Sequence, residues 1–152
     1  MGGKFNCNEC VITESIPDAI AFQKVDIPSC ALLGKEISQE NRPHFERARA
    51  KLYFCMDPDK AGRDAAYHLA REYRGYILEL GYSKDPDEVL AELGVERFRE
   101  LADKVVKEAR YYLDLVVEKE SLQDAMTEIL KLDYETDREK QYKKLAEIHG
   151  VT

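Results

Sequence analysis

No stretch of the 152 residues approaches the roughly 18 consecutive apolar residues that a membrane span needs. No basic segment followed by an apolar run opens the chain, so secretion is not expected. Basic charge is scarce as well: 23 Lys and Arg face 30 Asp and Glu, for a net charge of −7. The acidity is spread along the chain, with 12 basic and 16 acidic residues in 1–94 and 11 and 14 in 95–152. A phosphate backbone is normally gripped by a basic face, so bulk attraction of nucleic acid is not expected. Any contact with a polyanion must be local or carried by a metal. The three histidines, His44, His68 and His149, form no constellation in the sequence. Cysteine is confined to Cys7, Cys10, Cys30 and Cys55. Cys7-Asn-Glu-Cys10 has zinc-like spacing, but no second pair follows, and Cys30 and Cys55 fall inside apolar runs. Reduced cysteine in such a run behaves as a small hydrophobe, and a cytoplasmic protein with free thiols is the expectation. Internal repeats and low-complexity segments are also missing.

What remains is a chain that is 44% hydrophobic and long enough for one core, with a smaller unit appended. Its first half alternates short strand-like runs with helical stretches. "CVIT" (10–13) reads as a strand ending at Glu14, and "PDAIAFQK" (17–24) opens with a proline suited to a first helical turn. "SCALLG" (29–34) is a second apolar run. "SQENRPHFERARA" (38–50) follows Ser38, an N-cap candidate, with Pro43 weakening its middle. "KLYFCM" (51–56) is continuously apolar, as a strand buried on both faces should be. "AGRDAAYHLAREY" (61–73) has helical spacing and "YILEL" (76–80) reads as a fourth strand. This rhythm predicts parallel βαβ units with right-handed crossovers. From residue 95 the pattern is helical: an apolar stripe over 95–119, then "SLQDAMTEILKL" (121–132) behind a good N-cap, then "DREKQYKKLAEIHG" (137–150) ending on a C-cap glycine. Tyr111, Tyr112, Tyr134 and Tyr142 in this part suit packing between helices better than base stacking. The expected division is residues 1–94 and 95–152.

In a parallel sheet every strand-to-helix loop lies along one edge, where ligands bind. Here that edge carries Glu14, then Leu33 and Gly34, then Asp57 and Asp59, then Asp85 and Asp87. Several carboxylates aimed into one cleft repel each other unless a cation neutralises them. Oxygen ligands without histidine favour a hard ion, Mg²⁺ or Mn²⁺, which can bridge phosphates and stabilise charge on attacking and leaving oxygens. At a strand end, residues i and i+2 share a direction, so Asp57 and Asp59 suit a common ligand. Aspartate is also favoured at turns and helix N-caps on structural grounds alone, which applies to Asp57 and Asp59 and more strongly to Asp85-Pro86-Asp87.

A Glu ending the first strand and an Asp-x-Asp ending the third resembles the TOPRIM domain of primases, topoisomerases and several nucleases. The finer detail is similar to bacterial DnaG-type primases. "TESIPDAIA" resembles that family's Glu-Gly-Tyr-Met-Asp segment, "ALLGKEIS" its Ser-Leu-Gly-Thr loop, and "DPDKAGRDAA" its Asp-Gly-Asp-(Lys/Arg)-Ala-Gly-Arg-(Asp/Glu)-Ala-Ala signature. "SKDPDEVLAELG" is similar to its Asp-Pro-Asp-(x)-Leu stretch, and "REKQYKKLAEIHGV" to the close of the primase core. The resemblance implies a TOPRIM fold, a four-stranded, mainly parallel sheet flanked by helices and followed by a helical subdomain. It places Glu14, Asp57 and Asp59 at a catalytic centre that holds Mg²⁺ or Mn²⁺, with Asp85 and Asp87 as further ligands. Asp18 matches the acidic residue closing the first motif, a supporting position. Lys60 and Arg63 stand where a helix N-terminus helps bind phosphate. The implied activity is metal-dependent nucleotidyl transfer for RNA primer synthesis in DNA replication. The implied partners are a single-stranded DNA template, ribonucleotides and a replicative helicase, without a membrane.

Three positions depart from the pattern: Ser15 and Pro58 stand where the family has glycine, and Lys35 where it has threonine. Proline removes access to positive φ, so a shift in the metal loop is expected. Neither the zinc-binding domain nor the basic N-terminal part of a full primase precedes residue 10. The chain is thus expected to be a fragment of a longer primase or a free-standing TOPRIM protein. Two alternatives stay open: a stand-alone TOPRIM nuclease using the same metals, and a non-catalytic module that assists nucleic-acid processing.

Overall fold

The computed structural model describes residues 9–33, 37, 39, 40, 43, 51–132 and 135–150. Expectations that fall on Cys7, on Gly34 and Lys35, on His44, on most of 38–50 and on Tyr134 lie outside the described residues. Two compact units divide the chain between Ala109 and Arg110.

In the first unit, β1 (Glu9–Thr13) lies between β2 (Ser29–Ala31) and β3 (Lys51–Cys55), and β4 (Tyr76–Ile77) pairs with the outer side of β3. All of these pairings are parallel, with Ile12 beside both Cys30 and Phe54. The apolar residues of β1 and β3 are buried on both faces, as their unbroken hydrophobicity demands. Alternation sends Val11, Tyr53 and Cys55 to one face, where they meet Phe22, Val89, Phe98 and Ala102 in a single core. The aromatic rings of Phe22 and Phe98 anchor it, 5.6 Å apart. Ile12, Leu52 and Phe54 take the other face, and the Phe54 ring lies 6.4 Å from that of Tyr73 on α2 (Lys60–Tyr73). Helices α1 (Ile16–Gln23), α3 (Pro86–Leu93) and α4 (Val95–Glu108) complete the first face.

Two expectations shift. The fourth strand, expected over 76–80, has ladder partners only at Tyr76 and Ile77, with Leu78 N–H donating once more to Phe54 O at 3.1 Å. Leu78 and Leu80 are still buried, so the apolar run reflects burial rather than continued pairing. The unit boundary, expected after residue 94, falls after Ala109, because Phe98, Ala102 and Val105 of α4 belong to the first core.

The second unit opens with β5 (Arg110–Tyr111) and continues with α5 (Tyr112–Lys119), α6 (Leu122–Leu130) and α7 (Glu135–His149). These helices pack on one another around Leu113, Val116, Ala125, Ile129 and Leu145. Ser121 caps α6 by accepting from Asp124 N–H, the role its position predicted. The helical stripe over 95–119 is broken at Ala109–Tyr111, where the backbone turns extended. Buried Phe98, Ala102, Val105, Tyr112 and Val116 keep helical phase across that break, so periodicity could not reveal it. Among the described residues no helix is long and apolar enough to cross a membrane.

Candidate metal centre

Because β1 connects outward to β2 while β3 lies on its other side, the chain's direction of winding switches between β1 and β3. The crevice at the carboxyl ends of those two strands is where an open α/β sheet binds ligands. Glu14 leaves β1 there and Asp57 leaves β3. Asp57 N–H donates to Glu14 Oε1 at 3.2 Å, and the two carboxyl groups are within hydrogen-bonding reach of each other. Burial holds the Asp57 carboxyl above its ordinary value of 3.8, and the charges of Glu14, Asp85 and Asp59 push it further the same way.

The loop after Asp57 turns into α2. Asp59 caps that helix, accepting from Gly62 N–H at 2.6 Å, and Arg63 Nη1 donates to Pro58 O at 3.1 Å. Gly62 is required by space: a Cβ there would lie 1.9 Å from the Asp57 carbonyl oxygen. Pro58, by contrast, needs no special accommodation. Among the described residues the positive-φ residues other than glycine are Asp26, Leu33 and Arg74, so 57–59 adopt no conformation reserved for glycine.

A second tie runs from the same β1–α1 turn. Asp18 is buried, and its carboxylate accepts from Ser15 Oγ at 2.8 Å and from Asp87 N–H at 3.1 Å. Thr13 Oγ1 donates to Ser15 O at 2.9 Å and fixes the turn from behind. Burial raises the Asp18 carboxyl above its usual range, the bonds from Ser15 and Asp87 lower it, and the charges of Asp85 and Asp57 raise it again. One short turn thus holds two loops: Glu14 holds the loop of Asp57, and Asp18 holds the start of α3. In sequence Ser15 is marked only as a departure from the family's glycine, and its bond to Asp18 is visible only in the fold.

The remaining expected residues are placed as follows. Asp85 caps α3 through Glu88 N–H at 3.0 Å and is close enough to Asp57 and Asp18 to raise both. Asp87 is exposed in the first turn of α3. Lys60 and Arg63 are exposed in the first turn of α2, beside Asp59. The N-cap role is therefore real for both Asp59 and Asp85. Among the described residues, no three Asp, Glu, His or Cys side chains stand as a ready-made cage for an ion. What the edge does offer is a pair, Glu14 and Asp57, ringed by Asp59, Asp85 and Asp18 at electrostatic range. Donors that are all oxygen, with the Asp57 and Asp18 carboxyls held above their ordinary value, fit a hard divalent cation and disfavour zinc. Away from this edge, Cys10 and Cys30 lie on neighbouring strands, and the Cys10 thiol lowers that of Cys30 by hydrogen bonding to it.

A family model described as Toprim-like matches residues 11–90. Among curated relatives, the DNA primase of Listeria monocytogenes is 29% identical over 166 residues, covering 95% of this chain and 26% of its own length. The DNA primase of Campylobacter jejuni is 27% identical, with 78% of this chain and 20% of its own length covered. The chain thus spans about a fifth to a quarter of the length of these relatives. Among solved structures, a DnaG catalytic core superposes with a TM-score of 0.67 at 22% identity, covering 97% of this chain and 54% of that one. The RNA polymerase domain of Mycobacterium tuberculosis primase gives 0.69 at 16% identity, with coverages of 94% and 52%. Both superpositions establish a common fold.

Proposed function

Because the chain belongs to the Toprim-like family, we propose that it is the metal-binding part of a primase-like catalytic core, acting in nucleotidyl transfer for primer synthesis. The observation that carries this reading is the meeting of Glu14 and Asp57 at the switch point of the sheet, 3.2 Å apart through the Asp57 amide. Full-length relatives that match 95% and 78% of the chain are DNA primases, which favours synthesis over hydrolysis.

In this reading Glu14 and Asp57 hold Mg²⁺ or Mn²⁺, with Asp59, Asp85 and Asp87 completing the acidic surround. The bound cation supplies charge neutralisation for the carboxylates and for phosphate oxygens in transfer. The protein's own residues prepare that site. Asp18 and Ser15 hold the turn that carries Glu14, and Gly62 lets the Asp57 loop lie against the first turn of α2. Lys60 and Arg63 put positive charge beside an otherwise acidic edge, where they orient an incoming phosphate. The template is single-stranded DNA and the substrates are ribonucleotides. With little basic surface of its own, the chain depends on other protein for its hold on the template and for coupling to a helicase.

The test is a chimera in which this chain replaces the matched segment of the Listeria monocytogenes primase. Template-dependent RNA synthesis in Mn²⁺, abolished by Glu14→Gln and by Asp57→Asn, is the expected result. A folded chimera that makes no RNA overturns the reading, and one that cleaves nucleic acid in a Glu14-dependent way assigns a nuclease instead.

A further inference from the structure

Two thiols lie together away from the acidic edge. Cys10 belongs to β1 and Cys30 to β2, and Ile12 stands directly beside Cys30 in the parallel ladder. Side chains alternate along a strand, so Cys10 shares the face of Ile12 and therefore that of Cys30, offset by two residues. The two sulfurs are within hydrogen-bonding reach, and the bond from Cys10 favours the Cys30 thiolate, with burial opposing it. Cys10 is buried, whereas Cys30 is half-buried on the outer strand of the sheet. Cys55 faces the other side of the sheet in the core with Val11 and Tyr53, where burial pushes its thiol far up and leaves it inert.

We propose that Cys10 and Cys30 form a redox site, in which a hydroperoxide closes a disulfide between β1 and β2. The thiol that is oxidised first needs thiolate character and access to solvent, and Cys30 has both. The thiol that resolves it needs only to be adjacent, which describes buried Cys10. The Cys30 sulfur attacks one oxygen of the hydroperoxide and the O–O bond breaks. The other oxygen leaves as an alcohol, or as water from hydrogen peroxide, and Cys30 becomes a sulfenic acid. The Cys10 sulfur then attacks the Cys30 sulfur, the S–O bond breaks, and the departing hydroxide takes the Cys10 proton as water. The two thiols together give up two electrons and two protons, all of which the hydroperoxide accepts. An S–S bond of about 2.05 Å is shorter than a thiol–thiol contact, so the strands must close on each other. β2 can supply that movement, because it is three residues long, lies outermost, and among the described residues pairs with β1 alone. Cys10 stands four residues before Glu14, so the site shares no group with the metal centre.

The test treats the reduced 152-residue chain with hydrogen peroxide, counts free thiols, and maps tryptic peptides without reduction. Cleavage after Lys4, Lys24 and Lys35 leaves Cys7 and Cys10 in peptide 5–24 and Cys30 in peptide 25–35. The expected result is the loss of two thiols, recovery of both with dithiothreitol, and a disulfide joining peptide 5–24 to peptide 25–35. Cys7→Ser and Cys55→Ser keep that product. Cys30→Ser, on the half-buried outer strand where folding is least at risk, abolishes it. Cys10→Ser also abolishes it and leaves a Cys30 sulfenic acid that dimedone traps. No loss of thiols in the unaltered protein overturns the proposal. So does a bridge within peptide 5–24, which pairs Cys7 with Cys10, and so does a joined peptide that persists in Cys10→Ser. A disulfide that links two chains, seen as a dimer on a non-reducing gel, overturns it as well.

Discussion

The amide of Asp57 donates to the carboxylate of Glu14 at 3.2 Å, joining two loops that are 43 residues apart in sequence. That bond holds one negative group against the backbone of another acidic residue; burial first, and then the charge of Glu14, raise the Asp57 carboxyl above its ordinary value.

The consequence for pH has a definite sign. A carboxyl whose folded pKa is raised favours the folded state in acid and loses that contribution as pH rises through the folded value. Asp57 and Asp18 are both raised above 3.8, so metal-free protein should lose stability as pH climbs from about that value towards neutrality. Melting curves without metal should show the loss, and Asp57→Asn should flatten the profile. A wild-type profile that rises steadily from pH 4 to pH 7 contradicts this.

Divalent cation should reverse the loss. With Mg²⁺ or Mn²⁺ at about 100 times its dissociation constant, binding to the folded state alone adds about 2.7 kcal/mol of stability. Differential scanning fluorimetry should record a higher Tm in wild type and little change in Asp57→Asn. Equal shifts in the two proteins would put the ion elsewhere.

Asp59 is both a helix cap and a candidate ligand, and two substitutions separate the roles. Asn caps as well as Asp does, whereas Ala loses the cap at a cost of about 1 kcal/mol. Asp59→Asn should keep the melting temperature of the metal-free protein and weaken Mn²⁺ binding. Asp59→Ala should lower both. If Asp59→Asn binds Mn²⁺ as well as wild type, the cap is its whole role.

Gly62→Ala tests the approach of α2 to the metal loop. A Cβ placed 1.9 Å from the Asp57 carbonyl oxygen forces backbone to move, with a cost of about 1–3 kcal/mol. The variant should melt lower by chemical denaturation and bind Mn²⁺ more weakly, because the displaced loop carries Asp57. Unchanged stability would mean that the loop yields freely.

Much of the first unit was legible in the sequence because parallel strands buried on both faces leave unbroken apolar runs, as in "KLYFC". The acidic edge followed from the strand ends once the strands were placed. Less visible were features that depend on partners distant in sequence. "YILEL" is apolar because a core lies over it, and only two of its residues enter the ladder. The bond from Asp87 N–H to Asp18 spans 69 residues, and nothing local announces it. A cavity beside Asp57 is assembled from β3, α2 and the segment after β4, so no single stretch encodes it.

The most direct measurement is Mn²⁺ binding, followed by electron paramagnetic resonance on the 152-residue chain at neutral pH, for wild type, Glu14→Gln and Asp57→Asn. Saturable binding is expected in wild type, with each substitution weakening it by about tenfold or more, since each removes one charge from an oxygen-ligated cation. Folded Glu14→Gln and Asp57→Asn proteins that bind Mn²⁺ with wild-type affinity would contradict the shared centre.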